Sequence, residues 1–332
     1  MRNLPGVSVI IPTFNRGNII SETIDSVLAQ TYRDIEIIIV DDGSTDDTTK
    51  KLSIYGNRIR IVYQENAGTS AARNRGIEVS NAKIIAFQDS DDLWKPSKIE
   101  RQVSLLSRLD SSVPCCLCNA IMQNLYGDGR ELLSFDISGI SSQYPEGLWL
   151  NVTEVLATRS VLFNQTVAMR RQALEKVGGF DPDLRNAEDY DLSLRLSLEG
   201  PWGFISEPLT IWRAGASNSL SKMAVQDQIR LKENEIKIFE RMLSRIKDTG
   251  QERLERLLNK RLSEFRRRLV LAQLANGKSA TTQFRANVLY AVENYRTRIA
   301  GKLSKLPKMH TKPVVGVQST SPAEHLSEVG LK

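Results

Sequence analysis

Four short apolar segments recur in the first hundred residues, and each is followed by a stretch with helical spacing. The segments are rich in Val and Ile and continuous rather than alternating; they are Val7–Ile11, Ile35–Val40, Ile59–Tyr63 and Ile84–Phe87. Continuous apolar strands separated by helices are typical of a parallel sheet that is covered on both faces. The sequence therefore predicts an α/β fold built on a mainly parallel sheet flanked by helices.

The helices predicted around these strands cover Ile19–Gln30, Ser44–Leu52, Thr69–Val79 and a segment that begins near Pro96. Ser44 followed by Asp47 three residues later predicts a capping box at the start of the second helix. Residues 110–215 are less regular, although 178–200 ends in an amphipathic helix. Residues 224–275 show helical periodicity again.

Each predicted strand ends in polar residues. The four ends read Pro12-Thr13-Phe14-Asn15, Asp41-Asp42-Gly43-Ser44, Glu65-Asn66-Ala67-Gly68 and Asp89-Ser90-Asp91-Asp92. Ligands of open α/β sheets bind at the carboxyl ends of the strands, so we expect these residues on the rim of one cleft.

The Asp89-Ser90-Asp91 pattern suits a hard divalent cation. Mg²⁺ and Mn²⁺ take oxygen ligands, keep water molecules and are commonly completed by substrate phosphates. The alternative, for this triplet and for Asp41-Asp42, is a solvated turn whose aspartates cap a helix.

Histidine is nearly absent, which restricts the chemistry. His310 and His325 are the two histidines, and both lie near the C-terminus. A Ser-His-Asp triad and a His-rich zinc site are therefore excluded from the body of the chain. Acid and base work must come from carboxylates or, less readily, from Lys, Tyr or Cys. The segment Pro12–Gly17 also lacks the glycine pattern of a dinucleotide-binding turn. A haloacid-dehalogenase-type phosphatase is disfavoured because its motif has Thr or Val two residues after the second Asp, where this chain has Leu93.

Cys115, Cys116 and Cys118 form an odd, clustered set in a strand-like segment. Such a set does not predict a disulfide framework, so we expect buried core thiols in a reducing compartment. The apolar run at the N-terminus is short for a secretory signal, and no stretch approaches the length of a membrane span. A cytoplasmic location, or a peripheral one at the inner face of the membrane, is the expectation.

Charge divides the chain unevenly. Residues 1–221 carry 22 Lys and Arg against 28 Asp and Glu, whereas residues 222–313 carry 22 against 9. This predicts a body at 1–221, a basic helical extension at 222–306 and a disordered tail at 307–332. Two interpretations of the basic segment stay open: it docks on an anionic membrane surface, or it packs on the body or on a second subunit. Nucleic-acid binding is disfavoured because the helices lack interleaved aromatics.

Three ordered blocks within roughly residues 5–215 resemble glycosyltransferase family 2, the inverting transferases of GT-A fold. They read VSVIIPTFNRGNIISETIDSVLAQTYRDIEIIIVDDGSTDDTT, QENAGTSAARNRGIEVSNAKIIAFQDSDDLWKPSKIE and RRQALEKVGGFDPDLRNAEDYDLSLRLS. The resemblance implies a GT-A catalytic domain at 1–221. It also implies transfer of a sugar, with inversion, from a UDP- or dTDP-sugar to a hydroxyl of a glycan or lipid-linked acceptor.

The resemblance assigns nucleotide-binding roles by position. Base and ribose would be held by Pro12, Thr13 and Asp42, with Asp41 adjacent. The block from Asn66 through Gly68 to Asn74 would lie near the nucleotide, with Arg73 as a base or phosphate contact. The full set of predicted donor-binding residues is Pro12, Thr13, Phe14, Asn15, Asp41, Asp42, Asn66, Gly68, Arg73, Asp89 and Ser90.

The resemblance also assigns the chemistry. Asp91 would be the direct ligand of Mn²⁺ or Mg²⁺, with Asp89 as a second ligand, and Asp189 of the Glu188-Asp189 pair would be the general base. The alternative for Asp189 is a helix cap. Gly215 stands where many relatives have a histidine, which leaves the identity of the metal open. The rival function is a catalytically weak or inactive scaffold built on a transferase fold.

Two further residue groups have open assignments. Arg170 and Arg171 either contact acceptor or phosphate or form solvated surface charge. The tryptophans are expected to pack in the core or at the rim, with stacking on sugar rings as the alternative; they are Trp94, Trp202 and Trp212.

Overall fold

The computed structural model describes residues 6–213, 225–276 and 307–314. The strands are β1 (Val7–Thr13), β2 (Ile35–Asp41), β3 (Arg60–Tyr63), β4 (Ile84–Phe87), β5 (Leu93–Trp94), β6 (Cys115–Gln123), β7 (Glu131–Leu133), β8 (Glu146–Trp149), β9 (Val167–Arg170), β10 (Trp202–Arg213) and β11 (Thr311–Lys312). The helices are α1 (Ile20–Leu28), α2 (Thr48–Ser53), α3 (Thr69–Val79), α4 (Lys98–Arg108), α5 (Ser134–Ile137), α6 (Val152–Leu156), α7 (Arg171–Val177), α8 (Glu188–Ser197), α9 (Val225–Ile246) and α10 (Glu252–Asn276).

One sheet runs through the described chain, in the order β11-β8-β10-β6-β9-β4-β1-β2-β3, with β5 paired to β10 and β7 to β6. The pairs β1–β2, β1–β4, β2–β3 and β6–β10 are parallel. Strand β9 lies antiparallel between β4 and β6 and joins the two parallel parts. The predicted α/β fold with a mainly parallel sheet is confirmed.

Both faces of the sheet are covered by apolar side chains, as the continuous strands predict. All seven residues of β1 are buried. Ile10 belongs to the apolar cluster on one face, whereas Val9 and Ile11 belong to the cluster on the other. Alternate residues of a strand point to opposite faces, so only a strand covered on both sides is apolar throughout.

Helices α9 and α10 pack against the body of the protein. Phe239 of α9 and Phe265 of α10 meet edge to face, with ring centroids 5.1 Å apart. Both belong to the same buried cluster as Tyr190 and Leu194 of α8. The apolar face of the basic segment is therefore used in the core, which favours the interpretation of an extension packed on the body. Within the described residues, no helix combines the length and the apolar composition needed to cross a bilayer.

The start of α2 differs from the prediction. The helix begins at Thr48 rather than Ser44, and the predicted capping box is wrong. The Ser44 hydroxyl instead accepts a hydrogen bond from the Asn15 backbone N–H at 2.9 Å, and Asp46 accepts the Thr48 N–H at 2.9 Å. Ser44 is recruited by a loop distant in sequence, which no local capping pattern reveals.

The prediction of disorder from residue 307 is wrong for residues 307–314. Strand β11 pairs antiparallel with the edge strand β8. Asn151 holds the segment by donating to the Lys308 carbonyl oxygen and accepting from the His310 N–H, both at 2.7 Å. An edge strand needs only free backbone groups on its neighbour, so hydrophobic periodicity gives no warning of it. Residues 315–332 and Gly215 lie outside the described residues, as does much of the predicted extension.

The three cysteines are buried free thiols on β6, as predicted. Trp94 and Trp202 are buried in the core. The Arg170 guanidinium donates to the Val113 and Leu106 carbonyl oxygens at 3.0 and 2.7 Å, and Arg171 donates to the Ala82 carbonyl oxygen at 2.7 Å. Neither interpretation of this arginine pair holds, because both side chains fasten neighbouring backbone segments.

Candidate active site

The carboxylates at the end of β2 hold the loops around them. Asp42 is buried, and its oxygens accept hydrogen bonds from the backbone N–H groups of Ala67 and Gly68 at 2.9 and 2.8 Å. Asp41 accepts the Ser44 N–H at 2.9 Å and the Thr49 hydroxyl at 3.2 Å. Asp42 therefore fixes the loop that precedes α3, and Asp41 fixes the loop that leads into α2.

The end of β1 lies beside them, because Thr13 is in register with Asp41. Asn15 adopts a left-handed backbone conformation (φ 52°), and its side-chain oxygen accepts the Thr45 N–H at 2.8 Å. The Thr13 hydroxyl is buried and has no hydrogen-bond partner among the described residues. Phe14 is 42% exposed at the same edge, so its ring is open to a ligand.

Asp89, Asp91 and Asp92 follow β4 and have different surroundings. Asp92 holds two segments of the chain together. Its two oxygens accept the Gln165 side-chain amide and the Arg213 backbone N–H, both at 2.9 Å. Burial, together with the charges of Asp89 and Asp91, raises the pKa of Asp92 well above its ordinary value. Asp92 thus connects the end of β4 to the end of β10.

Asp91 is partly open to solvent. Its side chain is 18% exposed, and the Arg16 guanidinium lies 3.8 Å from one carboxylate oxygen. Burial, followed by the charge of Asp89, raises the pKa of Asp91, while Arg16 opposes the shift. A carboxylate whose ionised form is disfavoured by burial and by a like charge gains from a bound cation.

The residues around Asp91 fit a divalent cation that takes most of its ligands from elsewhere. Within the described parts of the chain, no three His, Cys, Asp or Glu side chains converge in a way that could hold a metal ion. Mg²⁺ and Mn²⁺ sites commonly use one or two carboxylates, with water and substrate phosphates completing the shell. Asp91 and Asp89 would supply these two carboxylates.

Arg73 is buried between two carboxylates of the candidate site. Its side chain is 4% exposed and forms ion pairs with Asp89 and with Glu188, each at 2.7 Å. The guanidinium also lies over the Phe180 ring, 5.2 Å from the centroid. Arg73 therefore joins α3 to the acidic cluster after β4 and to the first turn of α8. Its role as a base or phosphate contact stays a prediction.

Asp189 lies in the first turn of α8, and Ala187 occupies the capping position, so Asp189 is not the N-cap. One oxygen of Asp189 accepts the Tyr190 N–H at 2.7 Å. Burial and the neighbouring Glu188 carboxylate raise the pKa of Asp189 to about 7, against the opposing charge of Arg73. A carboxylate that titrates near neutral pH can accept a proton from a substrate under physiological conditions.

Ala187 immediately before this pair has a left-handed backbone conformation (φ 60°, ψ 16°). Such a conformation costs a residue other than glycine ~1–3 kcal/mol, and it persists only where the surrounding structure enforces it. Strained residues of this kind are concentrated at active sites. The chain therefore holds Glu188 and Asp189 in place at an energetic cost.

Sequence reasoning missed Arg213. Its backbone N–H bonds Asp92, its Nε donates to the Asp91 carbonyl oxygen at 2.5 Å, and its Nη1 pairs with Glu22 at 2.5 Å. Arg213 ends the strand that reads WGFISEPLTIWR, but its partners lie far away in sequence, so the local pattern does not reveal its role.

Comparison with known proteins finds relatives in one family. Residues 8–178 match the family model described as glycosyl transferase family 2. An uncharacterised glycosyltransferase of Rickettsia prowazekii is 34% identical over 192 residues, which are 57% of this chain and 57% of that protein. The chondroitin synthase of Escherichia coli is 31% identical over 253 residues, which are 74% of this chain and 34% of that protein. The chain thus spans little more than half of the first relative and a third of the second.

Solved structures show the same fold at low sequence identity. TarS residues 1–349 of S. aureus, in complex with UDP-GlcNAc, gives a TM-score of 0.61 at 17% identity over 89% of this chain and 88% of that one. The mannosyltransferase PcManGT of Pyrobaculum calidifontis, in complex with GDP-Man and Mn²⁺, gives 0.55 at 18% identity over 90% of this chain and 83% of that one. With the family match over residues 8–178, these likenesses lead to one conclusion: the chain belongs to glycosyl transferase family 2 and has the GT-A fold.

Proposed function

We propose that the protein transfers a sugar from a nucleotide-diphosphate donor to a hydroxyl group of a glycan or lipid-linked acceptor, with inversion at the anomeric carbon. The observation that carries this proposal is Asp189, whose pKa is raised to about 7 at the strained start of α8. Arg73 connects the neighbouring Glu188 to the acidic cluster after β4. The donors in the TarS and PcManGT complexes, UDP-GlcNAc and GDP-Man, support a nucleotide-sugar as substrate.

Asp189 performs the proton transfer. A sugar hydroxyl is a poor nucleophile at neutral pH, so its proton must be removed as the oxygen attacks the anomeric carbon. The ionised Asp189 carboxylate accepts that proton, the new C–O bond forms, and the nucleoside diphosphate departs from the opposite face with the bonding electron pair. Because attack and departure occur on opposite faces, the anomeric configuration is inverted.

The donor lies along the ends of β1 and β4. The exposed Phe14 ring stacks on the base, and the Thr13 hydroxyl, which lacks a partner among the described residues, bonds the nucleoside. A UDP- or dTDP-sugar is the proposed donor. Asp91, with Asp89 as a second ligand, would hold Mn²⁺ or Mg²⁺. When bound, the cation supplies Lewis-acid stabilisation of the negative charge on the leaving diphosphate.

A panel of nucleotide-sugars, each with Mn²⁺ or Mg²⁺, tests the proposal through thermal stabilisation, donor hydrolysis and sugar transfer. In Asp189→Asn we expect turnover to fall by roughly two to four orders of magnitude, while donor affinity stays near that of the wild type. The exposed Asp183 provides a control, since Asp183→Asn should leave turnover unchanged. Wild-type turnover should rise with pH through about 7 as Asp189 loses its proton.

The result also separates an enzyme from an inactive scaffold. A scaffold on this fold would bind the donor yet hydrolyse and transfer it no faster than the Asp189→Asn variant does. Collapse of donor affinity in that variant would instead assign Asp189 a structural role.

A further inference from the structure

The loop at 180–187, which leads into α8, is fastened on one side by α3. The Asn74 side chain donates to the Phe180 carbonyl oxygen at 2.8 Å and accepts the Phe180 N–H at 2.9 Å. The Ser70 hydroxyl donates to the Leu184 carbonyl oxygen at 3.1 Å. These contacts fix the first half of the loop and leave residues 185–187, next to the proposed base, to other partners.

Helix α9 fastens the loop from the other side. The Asn234 side-chain amide donates to the Asn186 side-chain oxygen at 2.7 Å and to the Asn186 carbonyl oxygen at 3.4 Å. Arg241, two turns further along α9, pairs with Asp181. Between them, the Phe239 ring lies 5.7 Å from that of Tyr190 in the first turn of α8. Helix α9 therefore contacts both ends of the loop and the helix that follows it.

Asn234 contacts the residue that directly precedes the strained Ala187. Asn186 directly precedes Ala187, the left-handed residue (φ 60°) before Glu188 and Asp189. On its other side, the Ala187 carbonyl oxygen accepts the Asp191 N–H at 3.0 Å. Without the Asn186 contact, Ala187 could relax to a common backbone conformation, and the start of α8 would move with it.

Asn234 is a buried polar residue whose side-chain amide bonds the loop. It is 4% exposed, and a buried amide is costly unless its polar atoms are bonded. Asn186 is the partner that its donor group reaches. The bonds to Asn186 therefore account for the burial of this amide.

We propose that Asn234 is a positioning residue for Asp189, and that α9 is thereby part of the catalytic apparatus. The inference rests on the proposed function, in which Asp189 is the base. Asn234 acts through Asn186 and Ala187 and touches neither donor nor acceptor. It lies beyond the family match at 8–178, so the family pattern gives no indication of this role.

The test compares Asn234→Ala with Glu233→Ala, an exposed neighbour on the same helix, in the full chain. Displacement of a catalytic group by about 1 Å can lower turnover by about a hundredfold, so we expect Asn234→Ala to lower kcat ten- to a hundredfold. The donor KM should change less than about twofold, because the donor-binding strand ends are untouched. The pH dependence of kcat should shift from the wild-type midpoint, and Glu233→Ala should leave both quantities unchanged.

A double-mutant cycle identifies the contact. If the two amides act as a pair, Asn186→Ala combined with Asn234→Ala should lower kcat no further than either change alone. Additive losses would overturn the proposal, and so would an Asn234→Ala enzyme with wild-type kcat and pH profile.

Amide hydrogen exchange provides a measurement that does not depend on activity. Asn234→Ala should raise exchange selectively in peptides covering 180–190, because the loop loses a fastening. An unchanged or uniform exchange pattern would overturn the inference even if the protein transfers sugar. A selective increase in a chain that acts on no donor would instead count against the proposed function and leave the bracing by α9 established.

Discussion

The buried Lys98 allows a quantitative test of the electrostatics of this fold. Lys98 begins α4, and its side chain is fully buried. Its Nζ donates to the Gln102 side-chain oxygen at 2.8 Å and lies 3.9 Å from the Trp94 ring centroid. Burial lowers the pKa of Lys98 from 10.5 to about 8, although the nearby Cys118 and Cys116 thiols act in the opposite direction.

The pKa difference sets the size of the effect on stability. Between about pH 8 and pH 10.5 the folded protein binds fewer protons at this site than the unfolded chain does, so the free energy of unfolding rises with pH. One pKa unit corresponds to 1.36 kcal/mol, so the gain across this window is about 3 kcal/mol. At pH 7 the charged lysine therefore costs the fold about that amount.

Lys98→Met removes this charge and keeps most of the side-chain volume. It also leaves the Gln102 oxygen without its donor, which costs about 1–3 kcal/mol at every pH. The two effects partly offset each other at pH 7, so the pH dependence is the informative quantity. Relative to the variant, the wild type should gain about 3 kcal/mol of unfolding free energy between pH 7 and pH 10.5.

Urea unfolding at several pH values, under reducing conditions, measures this difference. Titrating groups that do not interact with Lys98 are shared by wild type and variant and cancel in the comparison, whereas Cys116 and Cys118, which do interact with it, add to the difference. Lys83→Met is the control, because Lys83 is exposed and its removal should leave the pH dependence unchanged. Stability curves for wild type and Lys98→Met that stay parallel across this range would refute the reasoning, since they would mean that Lys98 keeps an ordinary pKa in the folded protein.

Three further outcomes are expected. Asp91→Ala should abolish transfer and weaken nucleoside-diphosphate binding in the presence of Mn²⁺, as measured by calorimetry; full activity would remove the proposed metal role. Arg73→Met should destabilise the protein by about 3–5 kcal/mol in urea unfolding, because it leaves two partly buried carboxylates without their shared partner; a loss under 1 kcal/mol would contradict this. Reversing the exposed charges of Arg256, Lys260 and Arg267 to Glu should abolish salt-sensitive sedimentation with anionic liposomes if the extension docks on membranes; equal sedimentation of wild type and variant would exclude docking through this surface. Point substitutions suit this test because truncating the extension would remove core residues of α9 and α10.

Local sequence patterns determined the sheet and the edge at which its polar residues lie. The apolar runs of β1, β2 and β4 are continuous because both faces of each strand are covered, and that property is written into consecutive residues. The polar residues after each run follow from the same constraint, since the chain leaves the core there. The acidic cluster after β4 could therefore be located, and the cysteines of β6 recognised as core thiols, without the structure.

The tertiary structure decided which of those residues are available for chemistry. Asp89, Asp91 and Asp92 are alike in the sequence, yet one pairs with Arg73, one stays partly open and one is buried between two strands. The surroundings of each aspartate depend on a residue from a distant segment of the chain, which lies beside it only in the folded protein.

The same holds for Asp189, the proposed base, and for the contacts that support it. Neither the left-handed conformation of Ala187 nor the reach of Asn234 to Asn186 has a signature in the residues on either side. Hydrophobic periodicity is a local property, because it reflects which face of one element is buried. Hydrogen bonds between distant segments and the strain they hold are properties of the assembled chain, since they depend on where two elements cross and on which polar groups burial leaves without water.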